Sequence, residues 1–307
     1  MQTFYTSLLV LFSFMNKLLE VFFSLLFNTG HFMEGTTNSL SEFVDSQVLL
    51  GLYCLPSLKV IANGGVGIDH LDVPYINSFG VKVTNTPGVV SDATADMAMA
   101  LLLASARTVI EGEIPTMEHG SGWIVLWCLT GSTLGIIGMG HIGYKVAQRS
   151  KGFNMRILYH NRNRSVEDEQ AVGASYCEKL DDLLKESDFV VVVVNLTPDT
   201  TGLISHRELS LMKPTGTLVN VSRGLVVDQD ALVKALMSGT IRAAALDVTH
   251  PEPLPRDHPL LTLPNVLITP HIGTNTRGTI RKMVQMMVDN VLAAMKGLAV
   301  PNEVKAK

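Results

Sequence analysis

The segment LGIIGMGHIG carries three glycines at the spacing GxGxxG, directly after an apolar run that predicts a strand. In a strand–turn–helix unit the first glycine permits a tight turn, the second lets the backbone approach a pyrophosphate, and the third permits close packing of helix on strand. A bound phosphate then lies at the helix N-terminus. The segment therefore predicts a dinucleotide site rather than only a glycine-rich turn. The residues assigned to this site are Gly138, Gly140, His141, Ile142 and Gly143.

The residues after the next predicted strand indicate which dinucleotide binds. A site for NAD usually has an acidic residue there, which accepts hydrogen bonds from the ribose 2′-hydroxyl. Here the strand ends in HNRNR, residues 160–164, and the first acidic residue is Glu167. Arg162 and Arg164, beside Asn161, suit a 2′-phosphate because guanidinium groups bind phosphate through charge-assisted hydrogen bonds. The pattern favours NADP(H) over NAD(H), and the alternative is a loop of solvated arginines.

Three further stretches carry polar residues where predicted strands end: NVSRG, LDVTHPEPLPRDHPLL and TPHIGT. An open α/β sheet binds its ligand at this edge. Together with GVGIDHLD, TPGVVSDATADMAMALLLASAR and GMGHIG, they resemble the D-isomer-specific 2-hydroxyacid dehydrogenases, and most of all the glyoxylate/hydroxypyruvate and 2-ketogluconate reductases of animals. The resemblance runs from about Pro56 to the C-terminus. It implies NADPH-dependent reduction of a small 2-keto acid, such as glyoxylate, hydroxypyruvate or 2-ketogluconate, to the D-2-hydroxy acid.

The resemblance places the family's catalytic arginine, acid and histidine on Arg223, Glu252 and His271. Hydride transfer to the carbonyl carbon of a 2-keto acid leaves negative charge on the carbonyl oxygen, which must be protonated. We expect His271 to donate that proton because imidazole exchanges protons near neutral pH. We expect Glu252 to stabilise the imidazolium and fix its orientation, and Arg223 to bind the substrate carboxylate and polarise the carbonyl.

Other positions are assigned by the resemblance alone. The GGVG turn, through the backbone of Val66 and Gly67, is similar to the family's second clamp for the substrate carboxylate. The resemblance also implies a homodimer formed through the dinucleotide-binding domain. The chain departs from the family at His141, where arginine is frequent, and in the compressed, apolar stretch between Arg107 and Leu134, which belongs to the expected dimer region. The residues that match positions lining the nicotinamide half of the cofactor are Asn195, Val221, Asp247 and Gly273.

The elements that must position these residues alternate regularly from about residue 57. Apolar runs predict strands, and because the runs are apolar throughout they predict a parallel sheet covered on both faces. We therefore predict an α/β fold with a Rossmann-type, doubly wound sheet over residues 87–273. The resemblance assigns residues 1–86 and 274–307 to a smaller, truncated, flavodoxin-like substrate domain. The predicted strands lie within 57–65, 81–85, 133–138, 155–160, 188–195, 216–222, 243–248 and 265–270, and helices are predicted at 87–107, 180–187, 229–239 and before Gly297.

The composition argues against several classes of partner. Of 307 residues, 47% are hydrophobic and 17% charged, and the formal net charge of −4 comes with scattered basic residues, so nucleic-acid binding has no electrostatic basis. Three cysteines without a CxxC spacing argue against a disulfide framework, and nine histidines without metal-ligand spacing argue against a metal site. The cysteine usage is typical of a reducing compartment, and we predict a cytoplasmic protein.

The first 28 residues, MQTFYTSLLVLFSFMNKLLEVFFSLLFN, are strongly apolar. Residues 4–27 are long enough to span a bilayer, but Lys17 and Glu20 lie inside this stretch. A central charge costs about 2.5–3.5 kcal/mol, which offsets much of the gain from the apolar side chains. A secretion signal is no better supported, because no basic segment precedes the apolar run and no alanine occurs before Ala62. We expect an atypical start, residues 1–45, that packs in part as a helix.

Two alternatives to an active reductase remain open. A dinucleotide-sensing corepressor shares this fold and keeps the catalytic trio, although HNRNR argues against it because such proteins resemble NAD(H) sensors. A catalytically impaired isoform would bind the cofactor but lack a complete substrate domain. Oxidation of NADPH in the presence of a keto acid separates both alternatives from the reductase.

Overall fold

The computed structural model describes residues 9–11, 23–24, 57–107 and 126–305, which form two compact units. The larger unit comprises Thr94–Gly273, and the smaller comprises the chain up to Ala93 together with the chain from Thr274 onward. The predicted boundary at residue 87 precedes the helix Ser91–Ala106, whereas the boundary between the units lies inside that helix. The assignment of substrate and dinucleotide binding to separate domains stays a prediction.

The smaller unit is built on a mixed five-stranded sheet. The two strands at its centre, β3 and β4, were predicted as strands, and they pair in parallel. Antiparallel strands flank them in the order β12-β4-β3-β1-β2. Within the apolar start, β1 and β2 are strands. The rest of residues 1–45 lies outside the described residues, so the expectation that part of this segment packs as a helix stays a prediction. The strands are β1 (Leu9–Leu11), β2 (Phe23–Ser24), β3 (Val60–Ala62), β4 (Lys82–Thr84) and β12 (Glu303–Val304).

Two helices, α1 (Val73–Ser78) and α8 (Arg277–Met295), contribute apolar side chains to the two faces of this sheet. Successive strand residues point to opposite faces, and β3 shows this directly. Ile61 packs in a cluster with residues of α1, whereas Val60 and Ala62 pack with residues of α8. The predicted C-terminal helix is confirmed; Thr276 caps its N-terminus by accepting a hydrogen bond from the Thr279 N–H.

The larger unit is built on seven parallel strands. Six of them were predicted from the apolar runs, and the seventh, Ala174–Tyr176, was not. Their order, β11-β10-β9-β8-β5-β6-β7, runs outward in both directions from the centre. The sheet is therefore doubly wound, with its switch point between β5 and β8, where such sheets bind ligands beyond the carboxyl ends of the strands. The strands are β5 (Thr133–Ile137), β6 (Arg156–His160), β7 (Ala174–Tyr176), β8 (Phe189–Val192), β9 (Thr217–Asn220), β10 (Ala243–Leu246) and β11 (Val266–Ile268).

Both faces of the larger sheet are covered. Alternate residues of one strand enter two separate hydrophobic clusters, as Phe189 and Val191 do on one face and Val190 and Val192 on the other.

In the part of the chain that the structure describes, no helix combines the length and hydropathy needed to cross a bilayer. The remaining helices are α2 (Ser91–Ala106), α3 (His141–Ser150), α4 (Val166–Val172), α5 (Leu180–Glu186), α6 (His206–Leu211) and α7 (Gln229–Met237).

The helix α3 approaches the end of β5 so closely that the position of Gly143, in its first turn, has no room for a side chain. A Cβ atom at Gly143 would lie 2.0 Å from the carbonyl oxygen of Gly138. This contact is with backbone, which cannot move aside as the end of a flexible side chain can. The third glycine of the motif is therefore required by packing, whatever else the turn binds.

We predict that Gly143→Ala lowers the free energy of unfolding by about 1–3 kcal/mol, the cost typical of overpacking. Gly152→Ala is the matched control, because a Cβ atom there would meet nothing within 4 Å. Urea denaturation of both variants measures the difference. Equal stability of the two variants would contradict the packing requirement.

Candidate active site

The glycine turn between β5 and α3 lies at the carboxyl edge of the larger sheet. Gly138 has a φ of 104°, a conformation that favours glycine, and its N–H donates to the His160 carbonyl at 2.9 Å. A Cβ atom at Gly138 would lie 3.0 Å from the Val193 carbonyl oxygen, whereas one at Gly140 would meet nothing within 4 Å. The turn is thus fitted against β6 and β8 and leaves open space at the N-terminus of α3, which suits a pyrophosphate.

The two arginines after β6 have different surroundings. Arg164 donates to both carboxylate oxygens of Glu169, from Nε at 2.8 Å and from Nη2 at 2.9 Å. Its guanidinium also lies over the Tyr176 ring, 5.7 Å from the centroid. The hydrogen bonds from Arg164 and from the Tyr159 hydroxyl hold the pKa of Glu169 at about 2, so the carboxylate is ionised at neutral pH and balances the charge of Arg164.

Arg162, by contrast, is exposed and forms no ion pair with any residue in the described ranges. The sequence predicted that both arginines bind a 2′-phosphate. The structure shows that Arg162 brings an unbalanced positive charge to this loop, while Arg164 brings one that Glu169 already balances. Glu169, which distinguishes the two arginines, lies on α4, five residues after Arg164. It is not part of the motif HNRNR, so the motif alone could not separate the two arginines.

His271 lies in the loop after β11 with a φ of 49°, in the left-handed region that non-glycine residues seldom occupy. Its Nδ1 atom lies 3.0 Å from Oε2 of Glu252, and Oε1 of the same carboxylate accepts the Thr249 N–H at 2.9 Å. Burial lowers the pKa of His271 to about 4, whereas the carboxylate acts in the opposite direction because it stabilises the imidazolium. The pair directs Nε2 away from Glu252, and Nε2 is the atom that can exchange a proton with a ligand.

Asp247 holds the loop that carries His271. Its buried carboxylate accepts hydrogen bonds from Thr269 Oγ1 at 2.6 Å and from the N–H groups of Ile272 and Gly273, each at 2.9 Å, and its carbonyl accepts the His271 N–H at 2.7 Å. Burial raises the pKa of Asp247, while these hydrogen bonds favour the ionised form. The sequence predicted Asp247 and Gly273 as cofactor contacts; that assignment stays a prediction, and the role visible in the structure is to shape the loop.

Arg223 lies in the turn after β9, and a buried asparagine fixes this turn. The side chain of Asn220 accepts the N–H of Ser222 at 3.0 Å and its hydroxyl at 2.8 Å, and donates to the Arg223 carbonyl at 2.9 Å. Sequence reasoning missed Asn220. The signal that could have identified it is the pair Asn-x-Ser at a strand end, because asparagine commonly bonds to the backbone two residues on.

The turn that carries Arg223 packs directly on the strand end beside it. A Cβ atom at Gly224 would lie 2.1 Å from the carbonyl carbon and oxygen of Thr249. Thr249 is the residue whose N–H binds Glu252, and Glu252 binds His271. The structure therefore places the turn that carries Arg223 next to the segment that holds the Glu252–His271 pair, at the carboxyl edge of the larger sheet.

The other predicted site residues also follow strands. Val221 is buried, and its N–H donates to the Val192 carbonyl at 3.3 Å, while Asn195 is exposed beyond β8 and Asn161 follows β6. Their assignment to the cofactor site stays a prediction. Within the ranges that are described, no group of three His, Cys, Asp or Glu side chains is arranged to hold a metal ion.

His141 is exposed at the start of α3, Ile142 packs against the core, and Val66 and Gly67 lie half-buried in the turn after β3.

A doubly wound parallel sheet, with an open glycine turn at its switch point and a histidine–carboxylate pair at the same edge, is typical of dinucleotide-dependent oxidoreductases. Comparison with known proteins specifies the class further. Residues 99–273 match the family model of the D-isomer specific 2-hydroxyacid dehydrogenase, NAD binding domain. The glyoxylate reductase of Pyrococcus horikoshii is 44% identical over 274 residues, covering 86% of this chain and 80% of that protein.

Solved structures agree. A protein from Thermus thermophilus superposes with a TM-score of 0.75 at 42% identity, covering 85% of this chain and 82% of that one. The NADPH-dependent glyoxylate/hydroxypyruvate reductase of Sinorhizobium meliloti, in complex with NADP and malonate, gives 0.76 at 34% identity, covering 83% and 80%. The chain belongs to the D-isomer-specific 2-hydroxyacid dehydrogenase family. It is an oxidoreductase of small 2-hydroxy and 2-keto acids whose cofactor is a nicotinamide dinucleotide.

Proposed function

We propose that the protein reduces a 2-keto acid of the glyoxylate, hydroxypyruvate or 2-ketogluconate type to the D-2-hydroxy acid with NADPH, and that His271 donates the proton. The observation that carries the proposal is the 3.0 Å contact between His271 and Glu252 on strand-end loops of a dinucleotide-binding sheet. Relatives named glyoxylate reductase, 44% identical to this chain, support the substrate class.

The chain's part in the reaction follows from where charge develops. A bound nicotinamide would supply the hydride. The carbonyl oxygen of the substrate then gains negative charge, and a protonated His271 delivers a proton to it through Nε2. Burial lowers the pKa of His271 to about 4. We assign the opposing effect to the Glu252 carboxylate, 3.0 Å from Nδ1, because a carboxylate favours the protonated ring.

Arg223 is assigned to the substrate carboxylate and the polarised carbonyl. Its guanidinium is steadied by a hydrogen bond from Nη1 to the Ser222 carbonyl at 2.9 Å, and its backbone is fixed by Asn220. A planar, pre-oriented guanidinium suits bidentate binding of a carboxylate. We assign the second carboxylate contact to the N–H groups of Val66 and Gly67.

The preference for NADPH over NADH is assigned to the loop after β6. No acidic residue lies at the end of this strand to accept hydrogen bonds from a ribose 2′-hydroxyl, and Arg162 carries a charge that no described neighbour balances. The NADPH-dependent neighbour from Sinorhizobium meliloti supports this assignment. The predicted homodimer stays a prediction; much of its expected interface, residues 108–125, lies outside the described ranges.

The first test is the loss of NADPH absorbance when purified protein meets glyoxylate or hydroxypyruvate. We expect turnover by the wild type, and a loss of at least about a hundredfold in kcat for His271→Gln, since general acid catalysis contributes about 10²–10⁴-fold. NADPH affinity of the variant should be unchanged. A folded wild type that binds NADPH but reduces none of the keto acids would contradict the proposal and favour a sensing protein or an impaired isoform.

A second prediction concerns pH. Glu252→Gln keeps the shape of the side chain but removes the charge that favours a protonated His271, so we expect the pKa governing reduction to fall. The loss in kcat/KM should therefore be about tenfold or more at neutral pH and shrink as the pH is lowered toward 5. Glu167→Gln removes the same charge from the exposed start of α4 and serves as control. Superimposable pH profiles for both variants would refute the role of Glu252.

A third prediction separates the two arginines. Arg162→Gln should weaken NADPH binding about tenfold to a hundredfold, the scale of one charge-assisted hydrogen bond, and leave NADH binding unchanged. Arg164→Gln should cost less, because Glu169 already balances that guanidinium. Fluorescence titration of both cofactors measures this, with the exposed Arg281→Gln on α8 as control for net charge. Equal losses for NADPH and NADH would remove the 2′-phosphate assignment.

A further inference from the structure

In the turn between β3 and α1, three successive carbonyl groups, those of residues 65–67, each accept a hydrogen bond. Gly65, with a φ of 143°, exchanges hydrogen bonds with Thr86: its N–H donates to Thr86 Oγ1 and its carbonyl accepts the Thr86 N–H, both at 2.9 Å. The Val66 carbonyl accepts Nδ2 of Asn85 at 2.9 Å. The Gly67 carbonyl accepts Nδ2 of Asn63 at 2.9 Å. Three short residues therefore hold three successive carbonyls.

Two N–H groups of the same turn, next to that of Gly65, are not used in this way. Those of Val66 and Gly67 donate to no acceptor in the parts of the chain that are described, and both residues are half-buried. Successive backbone N–H groups in a turn form a concave site for an anion. This is the backbone that the proposed function assigns to the substrate carboxylate.

The planarity of the peptide bond links these two observations. The Val66 carbonyl and the Gly67 N–H belong to one rigid plane and point in opposite directions. A hydrogen bond that fixes the carbonyl therefore also fixes the direction of the N–H. This constraint matters at Val66–Gly67 because Gly67 lacks a Cβ atom, so sterics on the Gly67 side restrict the orientation of the plane less than at other residues.

Asn85 is itself held from several sides. Its N–H donates to the Asn302 carbonyl at 3.3 Å, and its carbonyl accepts Nδ2 of Asn290 at 3.3 Å. Asn290, fully buried on α8, in turn accepts Nδ2 of Asn302 at 3.0 Å. A buried amide needs such partners. This asparagine network anchors Asn85 to the C-terminal helix and to the segment before β12.

We propose that Asn85 is a positioning residue for substrate binding: through the Val66 carbonyl it orients the Gly67 N–H toward the substrate carboxylate. The inference rests on the proposed function, because it supposes that this turn binds a 2-keto acid. Asn85 does not touch the substrate. Its effect is to keep one peptide plane in the orientation that presents a donor.

The test compares two asparagines, Asn85 and Asn77, that each donate a hydrogen bond from Nδ2 to a backbone carbonyl at 2.9 Å. Asn77 donates from Nδ2 to the Val81 carbonyl at 2.9 Å, as Asn85 does to Val66, but in the turn after α1. We expect Asn85→Ala to raise the KM for glyoxylate, and the inhibition constant of the carboxylate oxamate, by about tenfold, the scale of one hydrogen bond. kcat should change less, NADPH affinity should stay the same, and Asn77→Ala should match the wild type in all four quantities.

Asn85→Asp is the second variant, because it keeps the shape but replaces the donor by an acceptor. It should raise KM at least as much as Asn85→Ala. An active wild type whose two Asn85 variants keep the wild-type KM would overturn the inference alone. Unfolding of both Asn85 variants but not of Asn77→Ala would overturn it too, since Asn85 would then act only on stability. A wild type that reduces no keto acid would overturn the proposed function and the inference together.

Discussion

The parallel alignment of β5 to β11 is the constraint on which the site depends. Parallel strands all end at one edge, and the first peptide groups beyond each end lose the hydrogen-bond partners that the ladder supplied. Buried backbone groups must find other partners. In this protein, buried polar side chains of the strand ends supply them: Asn220, the last residue of β9, and Asp247, the first residue after β10. The loops that carry Arg223 and His271 take their shape from these two residues.

This arrangement has an electrostatic consequence. Asp247 is 2% exposed, and an ionised carboxylate at that depth is unfavourable unless donors surround it. The donors available are the hydroxyl and backbone N–H groups of the His271 loop itself. The same hydrogen bonds therefore fold the His271 loop and stabilise the charge of Asp247. The same burial acts against a protonated His271, whereas the Glu252 carboxylate, 3.0 Å away, acts in the opposite direction because it favours the imidazolium.

Features that depend on a local pattern in the sequence could be predicted, whereas features that depend on contacts between distant residues could not. Strands such as β8, apolar at every position, were predicted because burial on both faces leaves a local signal. The short β7 was not, because Ala174–Tyr176 has neither the length nor the pattern of a buried strand. The candidate catalytic residues came from motifs. Asn220 was missed although the pair Asn-x-Ser at a strand end marks it. Asn85 was missed, and Arg162 could not be distinguished from Arg164, because their partners are fixed by a turn and by the packing of α4, which no motif encodes.

Both units use the same kind of residue for the same purpose, and side-chain entropy explains the choice. Asparagine, aspartate and threonine have few rotatable bonds, so holding a backbone group costs them less conformational entropy than it would cost lysine, arginine or glutamine. Their reach is also short, which ties the position of a carbonyl closely to the position of the strand that carries the side chain. Long side chains such as Arg164 need several neighbours, here Glu169 and Tyr176, to reach comparable order. Accurate placement of a donor therefore favours a short amide beside a glycine peptide, as at Asn85 and Gly67.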